Sequence, residues 1–238
     1  MIIATNVSKQ FGKFSALSDV SFTCSKGECI ALIGPNGSGK TTMIKSILGM
    51  TVCNQGFVTF NGNNIKHDCN YRNQIGYMPQ IGRYPDNMTI QQLFSMMKDI
   101  RQKWTTRLDV ELVEKFGLVP LMHKRMRTLS GGTRQKVSAA LAFMFDPEVL
   151  ILDEPTAGLD PLSAEIFKDK IAAVHQQGKL VLITSHILSE LDELVTQVIY
   201  MQDGRLLFHK SLSQLREDTG QTKLSKAIAT VMLKEKAI

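Results

Sequence analysis

The chain has 238 residues, 43% hydrophobic and 21% charged, with a formal net charge of +6. That length can bury one α/β core with a subdomain, and the composition excludes a disordered or fibrous chain. No run approaches the roughly 20 apolar residues a membrane helix needs, and the start MIIATNVSKQ reads as an edge strand rather than a signal peptide.

Residues 2–33 fall into short apolar or alternating segments broken at Phe11-Gly12-Lys13 and Ser25-Lys26-Gly27, which predicts an antiparallel strand set. A helix over 40–48 follows, then Gly56–Phe60 with the Asn61-Gly62 hairpin turn and a short strand at 75–79. From about 81 to 147 the pattern turns helical. Thr89 caps a helix through about Asp99, Thr106 with Asp109 resembles a capping box for one ending near Gly117, and a third helix spans 133–144. The apolar strands Val149–Leu152 and Leu180–Ile183 flank a helix opened by Asp160 as N-cap and Pro161 at its first position. Strands that are apolar on both faces and joined by a helix predict a buried parallel sheet. Tyr200–Phe208 reads as a hairpin around Asp203-Gly204, and 211–238 as a helical tail.

The cysteines Cys24, Cys29, Cys53 and Cys69 show neither CxxC spacing nor a histidine pair, and read as free thiols in a reducing cytoplasm. The densest basic run, His123–Arg127, reads as solvated surface or a phosphate-facing segment, so no nucleic-acid partner is expected. Twelve methionines, crowded toward the middle of the chain, read as adaptable packing rather than a soft-metal site.

The chemistry starts at Gly34-Pro-Asn-Gly-Ser-Gly-Lys-Thr-Thr42, which fits the phosphate-loop pattern G-x-x-x-x-G-K-S/T behind the apolar run Cys29–Ile33. Gly34, Gly37 and Gly39 let the backbone curl so that N–H groups of Pro35-flanking Asn36, Ser38 and their successors point inward at a polyphosphate. Lys40 would reach the β- and γ-phosphates, Thr41 would ligate Mg²⁺, and a helix beginning near Lys40, with Thr42 in its first turn, adds its positive end. Downstream, Val149–Leu152 ends in Asp153-Glu154. Asp153 would hold Mg²⁺ through its water shell, and Glu154, aimed elsewhere, would act as general base toward the attacking water.

The run Leu129-Ser-Gly-Gly-Thr-Arg-Gln135, followed by LILDEPTAGLD and later Ser185-His186, resembles the ATP-binding subunit of ABC transporters over roughly residues 2–215. The resemblance implies a P-loop NTPase fold of ABC type: α/β, a mixed parallel core sheet with an antiparallel β subdomain and a helical subdomain. It places the ATP-binding domain at 1–217, its helical subdomain at about 81–147, and a C-terminal helical tail at 218–238. ATP and Mg²⁺ are the implied cofactors. Such ATPases work as head-to-tail pairs, so Ser130, Gly131 and Gly132 would meet the γ-phosphate held by the partner's phosphate loop. By the same resemblance Phe11 would stack on adenine, Gln80 would touch Mg²⁺ and the attacking water, Asp160 would sense the partner subunit, and His186 would contact the γ-phosphate. Two departures stand out: Thr133 where many members carry Gln, and Thr-Val-Cys-Asn-Gln over 51–55 in place of a Pro-Thr/Ser turn.

An ABC reading requires integral membrane permease subunits as partners, docked after Gln80 at Ile81-Gly-Arg-Tyr-Pro-Asp-Asn87, and places the chain peripherally on the cytoplasmic face of the inner membrane. The segments YMPQIGRYPDN, LSGGTRQKV and LAFMFDP are most similar to the ATPase of the copper-related system that matures nitrous oxide reductase, which sits beside a periplasmic accessory protein and a permease. ATPases of multidrug, lipid or gliding-type exporters share most of these motifs. A soluble ATPase of ribosomes or DNA is disfavoured by the single ATP domain and by only about 90 residues between Lys40 and Ser130.

Overall fold

The computed structural model describes residues 1–66, 68–104 and 107–235. In chain order the elements are β1 (Ile2–Phe11), β2 (Phe14–Cys24), β3 (Cys29–Ile33), α1 (Lys40–Ile47), β4 (Gln55–Phe60), β5 (Asn63–Asn64), β6 (Ile75–Met78), α2 (Ile90–Arg101) and α3 (Glu111–Lys115). There follow α4 (Gly131–Phe143), β7 (Val149–Asp153), α5 (Pro161–Gln176), β8 (Leu180–Thr184), β9 (Gln197–Gln202), β10 (Arg205–Ser211), α6 (Leu212–Thr219) and α7 (Leu224–Glu235). The chain divides into two compact units, one of Met1–Cys69 with Leu180–Ile238 and one of Asn70–Lys179.

The first unit holds two sheets. One is antiparallel in the order β2-β1-β4-β5, and β1 lies inside it between β2 and β4. The N-terminal strand is therefore central, not an edge strand. The other sheet runs β10-β9-β3-β8 and is mixed, because β3 is parallel to both β8 and β9 while β9 and β10 are antiparallel. β3 thus leaves the antiparallel set in which the local pattern over 2–33 placed it. All five residues of β3 and of β8 are buried, which is what a strand covered on both faces demands.

The tail is part of this unit. It is two helices, broken where Gly220 takes a left-handed φ of 67° at the end of α6. Leu224 and Ala227 are fully buried, the Leu224 N–H donates to the Asp192 carboxylate at 2.7 Å, and the Tyr200 hydroxyl meets the Met232 sulfur at 3.0 Å. Deleting 221–238 is expected to destabilise the unit by about 4 kcal/mol, from the buried Leu224, Ala227 and Ile228 side chains. Urea denaturation checks this; an unchanged midpoint would mean the tail contributes nothing.

The second unit pairs β6 with β7 in parallel, and α4 packs against β6. α2 opens on a full capping box between Thr89 and Gln92 and runs two residues beyond Asp99. Thr106 lies outside the described residues, and α3 is a short helix from Glu111 behind Val110. α4 begins at Gly131 behind Ser130, two residues before the predicted start. α5 opens as its sequence demands, with the Asp160 carboxylate accepting from the Ser163 N–H at 3.0 Å and Pro161 in the first turn. Of the mid-chain methionines, Met78, Met126 and Met144 are almost wholly buried, whereas Met88, Met96, Met97 and Met122 are half-buried. Lys170, 7% exposed, is satisfied by Asp109 at 2.5 Å and Glu111 at 2.6 Å, which ties α5 to the approach to α3.

The four cysteines are free thiols. Burial pushes the Cys24 and Cys29 thiols up to about 12, so both stay protonated and unreactive.

Candidate functional site

In the first unit the phosphate-loop segment joins the end of β3 to the start of α1. Gly34 has φ 149° and Gly39 φ 99°, and a Cβ on Gly34 would sit 2.0 Å from the Met201 carbonyl oxygen. At Gly39 a Cβ would come within 2.6 Å of the Ala16 carbonyl oxygen. Backbone passes too close at both positions for any other residue. Gly39 also occupies the N-cap of α1 without a capping side chain. Helix geometry leaves the N–H groups of the first turn, Lys40, Thr41 and Thr42, without intrahelical acceptors. Thr41 is exposed there.

Lys40 is 8% exposed and curls back over the loop, its ammonium donating to the carbonyls of Gly34 at 2.8 Å and Pro35 at 2.9 Å. Ser38 is buried below it, 3.5 Å from the ammonium, while Pro35, Asn36 and Gly37 are exposed. A positive group at the mouth of a curled, glycine-lined loop that feeds a helix N-terminus fits a polyphosphate.

Two further predicted residues belong to this unit. Phe11 is 52% exposed with the Lys9 ammonium 5.1 Å from its ring centre, so it is a ring open for stacking and not a core phenylalanine. His186 is exposed just after β8, and is likewise no core residue. The departure at 51–55 is held to β1 through polar contacts: the Gln10 N–H donates to Asn54 Oδ1, the Asn54 N–H to the Ser8 carbonyl, and Lys9 to the Val52 carbonyl, each at 2.8 Å.

The second unit gathers the carboxylates and the glycine pair. Asp153 ends the buried strand β7 and is 5% exposed. Burial pushes the Tyr77 hydroxyl up to about 12, and the Asp153 charge adds to the effect. Glu154 has φ 51°, a left-handed conformation directly after the end of β7. Its carboxylate accepts a hydrogen bond from the Gln80 amide at 2.9 Å. Two residues 74 apart in sequence are thereby brought together. Among the described residues no group of three or more His, Cys, Asp or Glu is placed to hold a metal.

Ser130 caps α4, its hydroxyl accepting from the Thr133 N–H at 3.2 Å and lying 2.9 Å from the Thr133 hydroxyl. Thr133, the departure from the family's glutamine, therefore engages the serine itself. Gly131 and Gly132 follow in the first turn, and a Cβ on Gly132 would lie 2.7 Å from the Gly158 carbonyl oxygen. Asp160 is half-exposed and pairs with Lys136 at 2.8 Å. That hydrogen bond, with those from Ser163, holds the Asp160 carboxyl well below the usual carboxylate range. Lys136 was not singled out in the sequence, where it is one of 28 basic residues with no motif of its own.

The family described as ABC transporter matches residues 17–157, more than half of the chain. This chain belongs to it. An ABC transporter ATP-binding protein of Bacillus subtilis (strain 168), the uncharacterized YdbJ, is 36% identical over 238 residues, 97% of this chain and 74% of that protein. The Nod factor export ATP-binding protein I of Burkholderia lata is 32% identical over 204 residues, 84% of this chain and 67% of that protein. A solved structure of the ATP-binding subunit of an ABC transporter superposes with a TM-score of 0.90 at 26% identity, covering 98% of this chain and 99% of that one. The fold is the ABC ATPase fold, with a mixed sheet, an antiparallel sheet and helices. The protein is an ABC transporter ATP-binding subunit, and ATP hydrolysis is the activity of its family. Among the described residues no helix is long and apolar enough to cross a membrane.

Proposed function

We propose that this ATPase binds Mg²⁺-ATP through Gly34–Thr42 and hydrolyses it with Glu154 as general base, driving conformational change in separate integral membrane permease subunits. What carries the reading is the loop itself: two glycines that tolerate no Cβ, an uncapped helix start, and Lys40 turned to the loop mouth. The backbone N–H groups and Lys40 hold the phosphates, and Phe11 stacks on the base. Thr41 in the first unit and Asp153 in the second are each proposed as Mg²⁺-binding positions, and the ion would supply charge neutralisation on the phosphate oxygens. Gln80 orients the Glu154 carboxylate through the bond they already share, and His186 contacts the γ-phosphate. Ser130, Gly131 and Gly132 meet the γ-phosphate held by a second copy in a head-to-tail dimer, while Asp160 reads the approach of that copy. The protein acts peripherally at the cytoplasmic face of the inner membrane. The permease docks on Ile81–Asn87, where Ile81 is 71% exposed.

The pathway proposed is the maturation of nitrous oxide reductase, by transport related to its copper site or to sulfur and with a periplasmic accessory protein. The segments YMPQIGRYPDN, LSGGTRQKV and LAFMFDP support it. A second reading, the ATPase of an exporter, is favoured by the 32% identity to a protein named for Nod factor export.

Capture of E154Q with ATP from detergent-solubilised native membranes, followed by mass spectrometry, tests both. A permease recovered in near-equal amount is expected, and its gene neighbourhood separates the two pathways. Recovery of ribosomal or DNA-bound proteins without any permease would overturn the proposal.

A further inference from the structure

Within the second unit, α4 and the loop that follows Glu154 are joined at three points. The Gly132 backbone abuts the Gly158 carbonyl closely enough to leave no room for a Cβ. The Gln135 amide reaches toward the carbonyls of Glu154 and Pro155 at 3.5 Å each, the outer limit of a hydrogen bond. The third is the pair of Lys136 with Asp160 at 2.8 Å.

The pair differs from an ordinary surface ion pair. The Lys136 side chain is only 20% exposed against 51% for Asp160, and its ammonium lies 6.0 Å from the centre of the Phe116 ring. Cover on the lysine side lowers screening and fixes the stem, so the carboxylate is drawn toward a defined point on α4. The cap of α5 does not need the lysine. Asp160 also accepts from the Ser163 N–H at 3.0 Å and the Ser163 hydroxyl at 2.7 Å, neither of which involves the lysine. What the lysine adds is the position of the loop against the helix that begins at Ser130.

We propose that Lys136 is a positioning residue for ATP hydrolysis: it holds the Asp160 loop in register with the Ser130–Gly132 turn, so that both meet the second subunit together. The inference rests on the head-to-tail reading above. Two segments that must engage one partner at once do so at lower entropic cost when their relative placement is set beforehand.

The test uses the full chain, with Lys136→Met, which keeps the apolar stem, and Lys136→Arg, which keeps the charge. Each is made alone and in the E154Q background. Lys136→Met is expected to bind ATP with the parent's Kd by calorimetry and to melt within about 3 °C of it. In E154Q it is expected to form about tenfold less ATP-dependent dimer on size exclusion. With Glu154 intact, kcat should fall about tenfold while KM changes less than about twofold, and the Hill coefficient for ATP should drop to about 1. Lys136→Arg should restore dimer and cooperativity. Asp160→Asn should reproduce the loss, and the double variant should be no worse than either single one. A pair that only stabilises the fold would lower the melting temperature and leave the Hill coefficient and dimer yield alone, which overturns the proposal. If E154Q with Lys136 dimerises and the methionine variant dimerises equally, the Lys136 inference alone fails. If E154Q never dimerises with ATP, the head-to-tail reading fails and takes this inference with it.

Discussion

Glu154→Gln should bind ATP as the parent does and hydrolyse it about 10²- to 10⁴-fold more slowly, the range by which a positioned general base accelerates a reaction. The substitution is close to isosteric. The glutamine carbonyl oxygen can still accept from the Gln80 amide that now donates to Glu154 at 2.9 Å, and the left-handed φ of 51° asks the same of either side chain. Only the capacity to take a proton from water is lost. Steady-state phosphate release gives the rate and calorimetry gives the affinity. Turnover equal to the parent's would remove Glu154 from the role of base, whereas lost binding would show that the carboxylate supports the nucleotide site instead.

Lys40→Ala should weaken ATP binding by about 10- to 100-fold, since a charge-assisted contact contributes roughly 1.5–3 kcal/mol and each 1.4 kcal/mol is a factor of ten. The loop should keep its path, because backbone packed against Gly34 and Gly39 still confines it when the lysine's bonds are lost. Lys40→Arg should restore little. A planar fork cannot take the place of a compact ammonium that meets the Gly34 and Pro35 carbonyls at 2.8 Å and 2.9 Å. Affinity measured by calorimetry at fixed Mg²⁺ decides the matter: an unchanged Kd would falsify the phosphate-loop assignment.

Most of the candidate site was readable because its chemistry is written in short runs. Gly34–Thr42 is contiguous, Asp153-Glu154 closes an apolar run, and Asp160-Pro161 opens a helix by rules that act within one turn. What escaped reading involves pairs of residues far apart in the chain. Cys29–Ile33 follows two antiparallel strands and carries no local mark of its parallel neighbours, which lie more than 140 residues onward at 180–184 and 197–202. The start Ile2–Phe11 looks like an edge until β4 pairs with its second side. Nothing in the tail announces that Leu224 and Ala227 are buried, because amphipathic spacing says that a helix has an apolar face and not what covers it.

The sequence by itself determined the kind of loop and the starts of the helices opened by Thr89 and Asp160. Those properties depend on glycine's freedom at positive φ, on capping hydroxyls and carboxylates, and on proline's missing N–H, all of which act between near neighbours. Only the tertiary structure decided that Gln80 holds Glu154 and that Lys136 holds Asp160. A side-chain hydrogen bond forms only when two atoms come within about 3 Å of each other at a suitable angle. For residues separated by 24 or 74 positions, that meeting is set by how strands and helices pack, which no local pattern records.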